Sequence, residues 1–421
     1  MTNTLRLNSR ILLAAAVANA AFMSAGIAMA GNDSRGGIIT VSSPKYCGDI
    51  SGSTTVVFKA PGFKTVDASA FNGKEVEVFA RNVRVAEDGS GSFNLPAGRF
   101  PRGPLTVTIA GKSAAGDKEY KDNCYLQLYN TSGRMIAGMP KTPPPAAKGM
   151  KLVFADDFTD PKLSIGKGSN FKYYDHKPPD GSQDFSEWSD AMKGKPGGKL
   201  GFPFTSFDKP NNPFKQRDTF LRIRAEESKG STGIIASMQG DGSGFKASVP
   251  CYFECRFIAP NAPGSWPAFW LLTDNLQTGG PCDELDIIEA YGGEGPGNPN
   301  SFDKYEICPH AWGQGEEGKR VQRAASKSVG NPQKMRAAGV SSAWYESFHT
   351  YGCLITEEDT IYYCDDIEMA RHKTMPVSKA QPHYFLVNLA VGGISGWKID
   401  LDRYDGVIDM YIDYIRVYEG L

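Results

Sequence analysis

From about residue 38 onward, apolar and polar positions alternate in short runs broken by Gly, Pro and Asp. Residues 54–58 (Thr-Thr-Val-Val-Phe), 76–80, 91–95 and 104–109 are runs of this kind, and their regular spacing predicts a small Ig-like β-sandwich over residues 37–138. Three consecutive prolines mark a stiff boundary at 139–149. Strand-like runs resume at 152–158 and return at 220–225, 233–237, 252–257, 284–291, 385–391 and 412–418, so a second and larger all-β unit is expected over 150–421. Residues 159–218 are rich in Pro and Gly, with Phe171, Tyr173, Tyr174, Phe185 and Trp188 scattered through them, and read as long loops that wall a cleft or pack beside it. At the other end, Arg6 and Arg10 precede an apolar run from Ile11 to Ala30 that closes on Ala28-Met29-Ala30. That is the pattern of a secretory signal peptide over 1–30, with an uncleaved anchor as the competing reading. A secreted or periplasmic chain, off the membrane after cleavage and monomeric, is the expectation.

One stretch breaks the alternation. Residues 284–291 (Glu-Leu-Asp-Ile-Ile-Glu-Ala-Tyr) combine high strand propensity with three carboxylates. Glu284 and Asp286 are two apart and share a strand face, whereas Glu289, five positions from Glu284, falls on the opposite face under strict alternation. One extra residue between Asp286 and Glu289, a β-bulge, restores the parity and turns all three acids one way. An acidic, solvated edge strand is the plainer alternative. The chain carries 46 Lys and Arg against 47 Asp and Glu, a net charge of -1, so it lacks the basic excess that nucleic acid requires.

Two glutamates facing a bound sugar are what glycoside hydrolysis needs. With the bulge, the two Glu Cα atoms are about four strand steps apart, roughly 13 Å, a span that leaning side chains can close to the ~5–5.5 Å of a retaining enzyme. Residues 284–289, read with 264–272 (Gly-Ser-Trp-Pro-Ala-Phe-Trp-Leu-Leu), resemble glycoside hydrolase family 16, in its bulged-strand, laminarinase-like branch. Residues 152–158, 252–257, 385–393 and 412–418 match the family in order. The resemblance implies a concanavalin A-like jelly-roll β-sandwich with an open polysaccharide cleft and retention of anomeric configuration. It makes Glu284 the nucleophile, Glu289 the general acid/base and Asp286 the supporting carboxylate, with no organic cofactor. Internal bonds of β-1,3- or β-1,3/1,4-glucan are the leading substrate. A galactan hydrolase of agarase or carrageenase type, a transglycosylase and a non-catalytic polysaccharide-binding protein are the alternatives.

Trp266 and Trp270, four apart, share a strand face and suit either sugar stacking or the core. The resemblance adds His310 and Asn388 as cleft residues, and Trp397 is a candidate for a distal subsite. Pro309, ahead of His310, departs from the family pattern. Asp157 and Asp413 correspond to positions that hold a structural calcium in many relatives. Eight cysteines allow 105 pairings. Cys47 with Cys124 is the economical pair of the first unit, and Cys282 with Cys308 is a further candidate. A hairpin register matching Thr356 to Ile361 would set Cys353 opposite Cys364, while Cys251 and Cys255 stay unassigned. A zinc site from Cys282, Cys308 and His310 competes with the disulfide reading.

Overall fold

The computed structural model describes residues 39–115, 118–180, 201–275, 280–293, 304–313, 327–329, 336–340, 342–392 and 399–420. Residues 1–30, read above as a signal peptide, and Phe185, Trp188 and Trp397 lie outside the described residues. The fold is all-β. In the first unit, β1 (Thr40–Ser43), β3 (Ser53–Lys59) and β6 (Ser90–Pro96) form a three-stranded sheet. Five more strands, β2 (Asp49–Ile50), β4 (Thr65–Phe71), β5 (Val76–Arg84), β7 (Gly103–Ala115) and β8 (Lys118–Asn130), form another in the order β2-β8-β7-β4-β5. The alternation explains the packing: Val56 and Phe58 of β3, Phe93 and Leu95 of β6 and Val66, Ala68 and Ala70 of β4 are buried, while the residues between them reach outward.

The second unit is a sandwich of two sheets. One contains β9 (Lys151–Asp156), β10 (Phe214–Arg217), β11 (Phe220–Glu226), β13 (Cys251–Ile258), β18 (His349–Ile355), β19 (Asp359–Cys364), β20 (Ile367–Lys373) and β22 (Val407–Glu419). Strand β22 is its spine, pairing with β11, β13 and β9. The other sheet runs β12-β21-β14-β15-β16-β17, from β12 (Gly233–Ala236), β14 (Ser265–Thr273), β15 (Cys282–Ala290), β16 (Tyr305–Trp312), β17 (Lys327–Val329) and β21 (His383–Val391). Phe269, Leu271, Leu285, Ile288, Phe385 and Val387 of this sheet share one apolar core with Phe253, Phe257, Met410 and Ile412 of the other.

The outer face of the eight-stranded sheet is covered as well. Asp409, Asp413 and Glu254 are fully buried there, and each pairs with an arginine: Arg224 at 2.7 Å, Arg256, and Arg416 at 2.6 Å. The first unit and the connector supply the cover. Arg403 grips Asp122 at 2.6 Å, Gln127 exchanges two hydrogen bonds with the backbone of Asp409, and Asp218 receives Arg102 and the Tyr129 hydroxyl at 2.8 Å. The proline-rich connector lies against the sheet: Arg416 donates to the carbonyls of Pro140 and Thr142, and Ala147 and Met150 pack on Tyr252 and Tyr418. Arg416→Ala strands the Glu254 carboxylate without its cation, and the expected loss is about 3–5 kcal/mol. Urea unfolding of the variant beside wild type checks this, and a loss below about 1 kcal/mol contradicts it.

Two expectations need correcting. Asp413 receives the Gly138 amide at 2.9 Å and the Arg256 guanidinium, so a positive side chain already occupies the place of a cation, and Asp157 caps Thr159. These residues do not fit a calcium ion, which takes six to eight oxygens. None of the eight cysteines is in a disulfide, and all are buried. Cys47 donates to Gln127 and Cys124 contacts the Tyr46 hydroxyl, while Cys282 stands opposite Trp312 and Cys308 opposite Asp286. Cys353 faces Tyr362, and Cys364 faces Tyr351, because the hairpin closes in a tighter turn than expected, with the Thr356 amide bonded to the Asp359 carbonyl. No helix among the described residues is long and apolar enough to cross a membrane.

Candidate active site

The bulge sits where parity requires it. Asp286 pairs with Cys308 and Glu289 with Glu306, three steps along β15 against two along β16, so one residue of β15 is extra between the acids. The same shift shows on the other side of β15, where Phe269 faces Ile288 and the next residue, Trp270, faces Asp286. Glu284, Asp286 and Glu289 therefore share the face turned away from the core. Cross-strand register builds that face in rows. Asn388, Ala268, Glu289 and Glu306 form one, Leu386, Trp270, Asp286 and Cys308 the next, and Tyr384, Leu272, Glu284 and His310 a third. Deleting Ile287 should return Glu289 toward the core and abolish any activity of the site while the strand pairs on either side survive. Circular dichroism together with an activity assay checks this, and retained turnover refutes it.

The acids are held by aromatic donors. Glu289 accepts from Trp266 Nε1 at 3.2 Å and from the Tyr291 hydroxyl at 3.3 Å. Trp312 Nε1 donates to Glu284 at 3.1 Å. His310 Nε2 lies 3.1 Å from Asp286 and 3.9 Å from Glu284, bridging the two. Burial drives the Glu289 carboxyl well above the usual carboxylate range, and the negative charges of Asp286 and Glu284 add to the rise against the pull of hydrogen bonds from Trp266 and Cys308. The shift favours the protonated form of Glu289, the form a proton donor requires.

Trp266 and Trp270 do share a face, and both are nearly buried, at 5% and 4% exposure. Trp270 donates to the Asn388 side chain at 2.8 Å, and Asn388 donates to the Trp266 carbonyl at 3.2 Å, so these three residues brace one another beneath Glu289. Lys177 lies over the Trp270 ring at 5.7 Å. Pro309 stands opposite Leu285 of β15, while among the described residues β17 pairs only with Tyr305, Glu306 and Ile307, so β16 has no β17 partner at the proline. Trp312, Glu306 and, apart from the disulfide and zinc readings, Cys308 were not singled out as site residues from sequence, nor was Tyr291. Period two along β16 contains the first three: if His310 faces the acids, so do residues 306, 308 and 312.

Residues 216–416 match the model of glycosyl hydrolases family 16. The endo-1,3-1,4-beta-glycanase EglC of Rhizobium meliloti (strain 1021) is 32% identical over 216 residues, 49% of this chain and 40% of that protein. The endo-1,3-1,4-beta-glycanase ExsH of the same strain is 38% identical over 167 residues, 40% of this chain and 30% of that protein. The chain thus matches less than half the length of either relative. A crystal structure of laminarinase from Flavobacterium sp. UMI-01 superposes with a TM-score of 0.45 at 22% identity, over 64% of this chain and 100% of that one. The family match supports glycosyl hydrolases family 16 for residues 216–416, the stretch that contains every acid of the cluster.

Proposed function

We propose that the chain is a retaining endo-β-glycosidase that hydrolyses internal bonds of a β-1,3- or β-1,3/1,4-glucan. The observation that carries this reading is the bulge, which brings Glu284, Asp286 and Glu289 to one face with Glu289 protonated. The printed activities of the two Rhizobium relatives support the glucan backbone. Glu284 attacks the anomeric carbon and forms a covalent glycosyl-enzyme, while Glu289 protonates the departing oxygen. Glu289 then takes a proton from the water that releases the sugar. Asp286, through His310, keeps negative charge beside Glu289 and so sustains its proton until the leaving group claims it. The face of Trp266 beside Tyr291 offers a wall for a pyranose.

The reading extends to the whole chain: a signal peptide over 1–30, an Ig-like module over 37–138 and a secreted or periplasmic monomer acting on polysaccharide. The experiment is a reducing-end assay on laminarin, barley β-glucan, agarose, carrageenan and xyloglucan, with NMR of the first-formed anomer. Release of β-anomeric ends from laminarin or barley glucan is expected. Release from agarose or carrageenan alone, or of α-anomeric ends, overturns the reading.

A further inference from the structure

The carboxylate face holds a second chemical possibility. Asp286, Glu289, Cys308 and His310 each offer one ligand atom, and these four atoms lie within 4.8 Å of one another. The sheet fixes all four: Cys308 stands opposite Asp286 in register, His310 is the next residue of β16 on that face, and the bulge returns Glu289 beside them. Asp286, Cys308 and His310 are at most 5% exposed, so a cation there would be largely out of water. Zinc bonds of about 2.0–2.3 Å in a tetrahedron place ligand atoms roughly 3.3–3.8 Å apart. His310 Nε2 and Asp286 Oδ2 are already 3.1 Å apart, and the widest span among the four atoms, at most 4.8 Å, exceeds that range by about 1 Å.

The donor set selects the ion. One sulfur and one imidazole nitrogen suit a borderline cation, whereas calcium and magnesium take oxygen throughout. Cys282, the third member of the zinc set read from sequence, stands opposite Trp312 at the end of β15, and the two carboxylates take its place. A second cluster, His349, Cys364 and Asp365, is a weaker candidate. His349 Nδ1 is bonded to Asp365 at 2.7 Å, and its Nε2 lies against the Ser342 and Ser347 hydroxyls and the Ala343 carbonyl.

We propose that Asp286, Glu289, Cys308 and His310 form a binding site for a zinc-class divalent cation, and that the bound ion arrests hydrolysis by coordinating the acid/base glutamate and its supporting aspartate. The binding half stands on geometry alone, and the arrest half rests on the function proposed above. An ion bonded to Glu289 denies the leaving oxygen its proton donor, so the site inhibits and is not a resident cofactor site.

The test titrates the reduced, chelator-treated full chain with cobalt(II) as a spectroscopic stand-in. A near-ultraviolet thiolate-to-cobalt charge-transfer band should saturate at one equivalent, vanish on addition of zinc and be lost in Cys308→Ser, while Cys282→Ser retains it. Calorimetry should show zinc binding weakened by at least about tenfold in Cys308→Ser. Zinc should inhibit glucan hydrolysis reversibly with chelator, at a midpoint that rises by the same factor in that variant, measured against its own uninhibited rate. A missing band, or one indifferent to Cys308→Ser, overturns the site. A saturated cobalt site with undiminished hydrolysis overturns the arrest. A normal band in a chain that cleaves no glucan leaves the site standing and defeats the proposed function.

Discussion

Glu284→Gln is expected to leave a folded protein whose turnover of the proposed glucan substrate is reduced by roughly 10⁴-fold or more, about 5.4 kcal/mol of lost transition-state stabilisation. The amide has the size of the carboxylate and still accepts from Trp312 Nε1, so the geometry of the face survives. What disappears is the nucleophile. An amide oxygen does not displace the glycosidic oxygen from the anomeric carbon, so no covalent intermediate forms. The decisive companion is Glu284→Ala with azide and an activated aryl glycoside. The small anion fills the vacated space and attacks from the same side, giving a glycosyl azide of inverted configuration. An azide product from the Glu289 variant with inverted configuration, and none from the Glu284 variant, would exchange the two assignments.

Glu289→Gln should cost about 10²–10⁴-fold on polysaccharide, the range of a general acid. It should cost little in the first step with an aryl leaving group, which departs without protonation. The pH profile carries an independent signature. Wild-type activity needs the Glu289 proton, so it falls as pH rises through the elevated pKa of that carboxyl, and the variant lacks this alkaline limb. The same shift predicts a gain in stability. A carboxyl whose folded pKa lies above its unfolded value binds its proton more tightly in the native state. Its contribution is complete below the unfolded pKa and is lost as pH rises through the folded one. Above that range wild type carries a crowded, poorly hydrated anion beside Asp286, with Glu284 beyond it, and the glutamine does not. Glu289→Gln should therefore resist urea better than wild type at alkaline pH and match it most closely near pH 4. An equal or lower midpoint at alkaline pH would contradict the crowding argument.

Much of the site was legible because it follows from parity. The odd interval from Glu284 to Glu289 demanded an inserted residue, and the register shift lies in that interval. Parity also put Trp266 and Trp270 on one face. It did not say that Trp270 and Asn388 would bond to each other, since they are 118 positions apart and belong to strands whose adjacency is a matter of topology. The hairpin at 356–359 shows the opposite failure, a local one. The Thr356 hydroxyl receives the amides of Glu358 and Asp359, which tightens the turn and moves Cys353 two places from the expected partner. Least legible were the ion pairs of the outer sheet face. Arg224 and Asp409 are 185 positions apart, and Glu254 and Arg416 are 162 apart, so no short-range pattern announces them.

Strand β22 has a bearing on how the molecule is made. It is synthesised after every strand it joins, yet it lies between β11 and β13, holds β9, and carries the Asp409 backbone that Gln127 of the first unit grips. A nascent chain that still lacks residues 407–419 has those strands without their common partner, and three buried arginine pairs without two of their carboxylates and one of their guanidinium groups. Assembly of the eight-stranded sheet is thus a closing event that waits for residues 407–419, and it pairs segments far apart in the chain, the slow kind of folding. Until that strand arrives, the ribosome holds an unfinished and threadable chain.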